Sequence, residues 1–119
     1  MKFSERDYNE DRLQEECYLW FHNTFPHLRG LLCYNLNNSA NKIQGNKNKG
    51  MGLQVGRSDM VFYYQGRAYM IEMKVADGVQ RIDQIKWQNT VESQGFKYLI
   101  ARSKEGFKQF IYNILDNNI

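Results

Sequence analysis

SDMVFYYQGRAYMIEMKVADG, residues 58–78, holds two runs rich in β-branched and aromatic side chains, 58–64 and 67–75, separated only by Gln65-Gly66. Such residues suit the pleated, half-buried surface of a strand, and a two-residue link with glycine second is a tight hairpin loop. Pairing Tyr64 with Arg67 sets Asp59 across from Glu72. Opposed residues of an antiparallel pair share a face, with Cβ atoms about 4.5–5.5 Å apart, where like charges destabilise. Lys74, two residues beyond Glu72, falls on the same face by strand alternation. The hairpin therefore brings Asp, Glu and Lys together from two adjacent strands.

Outward from the hairpin, Asp77-Gly78 closes the second strand and the pattern predicts a helix from about Arg81 to Ser93. Gly95 stands where a helix end favours positive φ. FKYLIA (96–101) reads as another strand, and Ser103 caps a last helix whose apolar face is Phe107, Phe110, Ile111, Ile114 and Leu115. On the other side, Leu13, Cys17, Trp20, Phe21 and Thr24 recur with helical spacing in a helix from about residue 5 to 24. GLLCYNL (30–36) is a short strand after the Phe25-Pro26 break, and residues 37–56, with Gly45, Gly50, Gly52 and Gly56, show no period and read as a long loop. The order α-β-β-β-α-β-α predicts an α/β fold, a mixed β-sheet flanked by helices, in a single domain over 1–119.

Composition narrows the class. The chain has 119 residues, 42% hydrophobic, with one proline and a net charge of +3, too apolar for a disordered tail. No apolar run approaches the roughly 18–20 residues of a membrane-spanning helix. The polar start MKFSERDYNEDR does not resemble a signal peptide, so a cytoplasmic chain is expected. Cys17 and Cys33, with His22 and His27, complete no zinc pattern, and both cysteines read as buried small hydrophobes. Charge is segregated: residues 1–16 are acidic, while 17–58 contain no Asp or Glu and carry Arg29, Lys42, Lys47, Lys49 and Arg57. A purely basic stretch fits a surface that meets phosphate, or a solvated loop with ordinary charge scatter.

The Asp-Glu-Lys set has two readings at this point. Lys74 can simply neutralise two surface carboxylates. Alternatively, helices cover both faces, and partly buried hard oxygen donors hold Mg²⁺ or Mn²⁺. On the first helix, 100° per residue turns Glu10 and Gln14 toward the apolar face and Glu15 to water, so Glu10 can supply a third carboxylate or merely favour the helix dipole.

Taken in order, Glu10-Asp-Arg-Leu-Gln14, Phe25-Pro26, Asn37, Gly56-Arg-Ser-Asp59, Ile71-Glu-Met-Lys74, Gln84, Gly95 and Ser103 resemble the VRR-Nuc family of the PD-(D/E)XK nuclease superfamily, with its αβββαβ core, here with an extra C-terminal helix. E-x-K alone is weak; the ordered set spans nearly the whole chain. The resemblance implies a metal-dependent deoxyribonuclease acting on branched DNA, in the manner of a Holliday-junction resolvase, and working as a homodimer. Asp59 and Glu72 would hold Mg²⁺ or Mn²⁺ with the Met73 carbonyl, Glu10 would act through metal-bound water, Lys74 would orient or activate the attacking water, and Gln84 would orient the site. Arg57-Ser58 replaces the family's x-Pro, and Arg81 stands where a Ser or Thr cap is usual, so each can add a phosphate contact. Lys42, Lys47, Lys49, Arg57 and Arg81 are the candidate DNA contacts. Exposed aromatics among Phe62, Tyr63 and Tyr64 are candidates for the dimer surface. A flap or nicking nuclease and a non-catalytic DNA-binding module remain the alternatives.

Overall fold

The computed structural model describes residues 8–35 and 42–116. In chain order the elements are α1 (Glu10–Thr24), a 3-10 turn (Pro26–Leu28), β1 (Leu32–Tyr34), α2 (Lys42–Gly50), β2 (Met60–Tyr64), β3 (Arg67–Met73), α3 (Ile82–Ser93), β4 (Lys97–Ala101) and α4 (Lys104–Leu115). The sheet order is β1-β2-β3-β4, antiparallel from β1 to β3 and parallel between β3 and β4. The parallel pair requires the α3 crossover, because two parallel strands cannot be joined by a tight turn.

The hairpin has the predicted register, Tyr64 opposite Arg67 and Met60 opposite Ile71. Gln65 and Gly66 both take positive φ, 49° and 77°, as a type I′ loop demands. Alternation then divides the sheet. Met60, Phe62, Tyr69, Ile71 and Met73 enter one core with Leu13, Cys17 and Phe21 of α1 and Phe107, Phe110, Ile111 and Ile114 of α4. Phe62 anchors it, its ring centroid 5.3 Å from that of Phe21 and 5.6 Å from that of Tyr64. Val61, Met70 and Glu72 point to the opposite face, which α3 covers. Of the three hairpin aromatics, Phe62 is buried and Tyr64 half-buried, leaving Tyr63 exposed.

Several boundaries differ from the sequence reading. The first helix begins at Glu10, where Asn9 caps it by accepting from the Arg12 N–H (3.0 Å); Tyr8 precedes the cap, and residues 5–7 lie outside the described set. Of the strand expected over 30–36, the described residues form strand over Leu32–Tyr34, and residue 36 lies outside the described set. The largest correction falls in 37–56. Residues 37–41, Asn37 among them, lie outside the described set, but Lys42–Gly50 is helix, not loop. This helix buries no side chain, so it has no apolar period to read. It is supported by a Gln44–Asn48 side-chain bond of 2.7 Å one turn apart and by Lys47 and Lys49 at its carboxyl end, where cations favour the dipole. Cys17 is buried as expected, whereas Cys33 is only half-buried; both are free thiols. Ser103 caps α4 as predicted, accepting from the Gly106 N–H at 3.0 Å.

Gly56 fixes the approach to β2. At φ +78° it lies against the first turn of α3, where an added Cβ would collide with the Asp83 carbonyl and come within 2.8 Å of the Gln84 nitrogen. Gly56→Ala combines a disfavoured φ with a clash against backbone, and we expect it to destabilise the fold by about 2 kcal/mol or more, measured by urea denaturation.

Candidate active site

Glu72 lies in β3, between β2 and β4, and is fully buried. Its Oε1 accepts from the Tyr98 hydroxyl at 2.7 Å and from the Gln80 amide at 3.1 Å, and that amide also donates to Gln88 Oε1 at 2.8 Å. Its Oε2 is buried with no hydrogen-bond partner. Leaving a buried acceptor unsatisfied costs about 1–3 kcal/mol, and more when it is charged. Burial and the neighbouring Glu72 carboxylate push the Tyr98 hydroxyl upward from its ordinary pKa, so it remains a donor at neutral pH.

Asp59 sits beside this carboxylate, but not as a strand partner of Glu72, as the hairpin arithmetic predicted. β2 starts at Met60, and Met60–Ile71 is the last paired position at this end. The Asp59 carbonyl accepts from the Asn35 N–H (2.8 Å), while its Oδ2 accepts from the Met73 N–H at 2.6 Å, a side-chain oxygen taking the place of a ladder carbonyl. Burial raises the Asp59 pKa, the Glu10 and Glu72 carboxylates raise it further, and the Met73 N–H and Lys74 oppose the shift. The folded state therefore binds this proton more tightly than the unfolded one, so its stabilisation is fully present below the ordinary carboxylate pKa and is lost as the pH rises through the raised one. Asp59→Asn, which keeps an acceptor for Met73, should raise the melting temperature at pH 7 by more than at pH 4, a difference that calorimetry across this range measures.

The Lys74 backbone N–H extends the parallel ladder to the Ala101 carbonyl (3.0 Å), and its buried side chain places Nζ 3.4 Å from Glu10 Oε1. Glu10 keeps 45% of its side chain exposed, so it stands at the mouth of the site from the first turn of α1. Glu15 is exposed and Gln14 half-buried, as helical spacing predicted.

Gln84 is buried at the start of α3, with its Oε1 engaged by the Arg81 N–H at 2.8 Å, the reaching-back half of a capping box. The glutamine that touches Glu72 is instead Gln80, which the sequence reading missed along with Gln88 and Tyr98. Arg102 ties the intervening loop, donating to the Ala76 (3.3 Å) and Gly78 (2.7 Å) carbonyls. Among the candidate DNA contacts, Lys42, Lys47 and Lys49 are exposed on α2, Arg57 is half-buried, and exposed Arg81 pairs with Asp83 at 3.3 Å.

Among the described residues no three His, Cys, Asp or Glu gather closely enough to hold a metal by themselves. The fit to a divalent cation comes from Glu72 Oε2, a buried hard oxygen without a partner, beside a second carboxylate. Such a centre is completed by backbone oxygen and water, the manner in which Mg²⁺ is usually held. A separate cavity of about 490 Å³ between α1 and β1, with Asp11, Glu15, Tyr18 and Tyr34 in its wall, includes none of Asp59, Glu72 and Lys74. No described helix is long and apolar enough to cross a membrane.

No protein-family model matches the chain, and no curated protein matches it. Among solved structures, a chain described as a VRR_NUC domain protein superposes with a TM-score of 0.75 over 95% of this chain and 89% of that one, at 16% sequence identity. Identity that low leaves the likeness as one of architecture. This chain therefore shares the fold of that VRR_NUC domain protein, a four-stranded mixed sheet flanked by helices.

Proposed function

We propose that this chain is a Mg²⁺- or Mn²⁺-dependent DNA endonuclease that cuts branched DNA in the manner of a Holliday-junction resolvase and acts as a homodimer. The observation that carries the reading is the buried Glu72 carboxylate, with one oxygen held and the other without a partner, next to Asp59 and Lys74 on a nuclease-type fold. A bound divalent cation would supply Lewis acidity toward a phosphoryl oxygen and ready deprotonation of water near neutral pH. Asp59 and Glu72 hold that cation, with the Met73 carbonyl as a further ligand. Glu10, half-exposed at the mouth, accepts hydrogen bonds from water entering the site. Lys74, held by Glu10, places its ammonium where negative charge grows on the phosphoryl group. Arg57 lies near the site in sequence, and Lys42, Lys47 and Lys49 on α2 with Arg81 before α3 are exposed cations available to the DNA backbone. Gln84, by capping α3 against the Gly56 loop, orients the segment that carries Asp59.

The test is cleavage of a labelled four-way junction beside flap, single-stranded and linear duplex controls, in Mg²⁺ and in Mn²⁺, with wild type and Lys74→Ala. Paired symmetric nicks that vanish in the variant are expected. Cutting confined to flaps would replace the resolvase reading, and folded protein that binds DNA but cuts nothing would leave a binding module.

A further inference from the structure

The two oxygens of Glu72 are in unlike situations. Oε1 accepts two hydrogen bonds, from a hydroxyl on β4 and from an amide in the loop before α3, whereas Oε2 is buried with none. The amide presents its nitrogen to Glu72 because an ionised carboxylate oxygen, 3.1 Å away, only accepts, and the same nitrogen donates to Gln88 Oε1 at 2.8 Å. Arg102, through the Ala76 and Gly78 carbonyls, restrains the loop from which Gln80 reaches in. The carboxylate is thus gripped at one end from two directions.

Carboxylates bind divalent cations through one oxygen or two, and cations differ in which they accept. Ca²⁺ takes about 6–8 oxygens at about 2.3–2.6 Å in a flexible shell that commonly includes a bidentate carboxylate, whereas Mg²⁺ demands a near-ideal octahedron at about 2.0–2.1 Å. We infer that Tyr98 and Gln80 form a clamp that confines Glu72 to ligation through Oε2 alone, and so make the centre selective for small octahedral cations, Mg²⁺ and Mn²⁺, over Ca²⁺. The inference rests on the divalent-cation reading above and assigns its selectivity. Tyr98 and Gln80 are positioning residues: they touch Glu72, not the cation. Freeing Oε1 lets the carboxylate turn both oxygens toward the site, which helps Ca²⁺ and removes the fixed direction that an octahedral ion needs.

Isothermal titration of Mn²⁺ and, separately, of Ca²⁺ into the full chain, for wild type, Tyr98→Phe, Gln80→Leu and Glu72→Gln, tests the clamp, with a melting curve for each protein as the folding control. Loss of groups that orient metal ligands typically costs about 10–100-fold in metal affinity. For Tyr98→Phe and Gln80→Leu we expect the Mn²⁺-to-Ca²⁺ affinity ratio to fall by about tenfold or more. Tyr98→Phe removes one hydroxyl from a half-buried ring and keeps its shape, so agreement between the two variants separates selectivity from misfolding. An unchanged ratio, or equal weakening toward both cations, overturns the clamp and leaves the metal centre standing. Wild type that binds neither ion, or Glu72→Gln that binds Mn²⁺ as wild type does, overturns the centre and the clamp together.

Discussion

Glu72→Gln should abolish metal-dependent cleavage while leaving the metal-free protein at least as stable as wild type. The substitution keeps the shape and an acceptor for Tyr98 and Gln80, but takes a negative charge out of a fully buried position beside Asp59. A cation's Lewis acidity is worth several kcal/mol toward the transition state, and several kcal/mol is about a thousandfold or more in rate. In EDTA the variant should melt at or above the wild-type temperature, by up to about 4 °C if the relieved repulsion amounts to about 1 kcal/mol. Added Mn²⁺ should raise the wild-type melting temperature and leave the variant's unchanged, because a ligand stabilises only the state that binds it. Cleavage at wild-type rate, or a variant that melts well below wild type in EDTA, would show that Glu72 serves the fold rather than the reaction.

Lys74→Ala should separate binding from chemistry in the opposite way. Its ammonium is buried and meets Glu10 at 3.4 Å, so its removal deletes a positive charge from the site and leaves a partner that is 45% exposed and can turn to water. A preorganised donor or proton-transfer group contributes about 10²–10⁴-fold to rate. We expect a loss of about 10²–10³-fold in single-turnover cleavage, with Mn²⁺ affinity unchanged or tighter, since one repelling cation has gone. Weaker Mn²⁺ binding together with lost cleavage would assign Lys74 to holding the carboxylates in place.

How much of this was legible depended on whether the chain itself fixes the distance between two residues. The Gln65-Gly66 loop sets the β2–β3 register, so Asp59 was placed within reach of Glu72. The form of that approach was not legible, because Asp59 leaves the ladder to take the Met73 N–H with its side chain. Tyr98 was out of reach for a different reason. A parallel strand reached through a helix has no turn length to fix its register, and Tyr98 meets Glu72 only because Ile100 lies opposite Glu72 in the folded sheet. Glycines and polar residues without a period resembled loop in α2, whose helix packs no face that would have imposed one. Glu10 was found because a helix that does pack, α1, has a face to measure from.

The connectivity of β3 has one more consequence, and it concerns the order of assembly. On one edge β3 meets a neighbour joined to it by two residues, while on the other it meets β4 only after the whole of α3 has intervened. Closing the short loop costs far less chain entropy than closing the long one, and contacts distant in sequence form slowly. Asp59 and Glu72 can therefore come together with the hairpin, but the Tyr98 hydroxyl arrives only when the crossover docks. The two carboxylates thus meet before the Tyr98 hydroxyl holds Glu72 in one orientation, a restraint that comes only with the docking of β4.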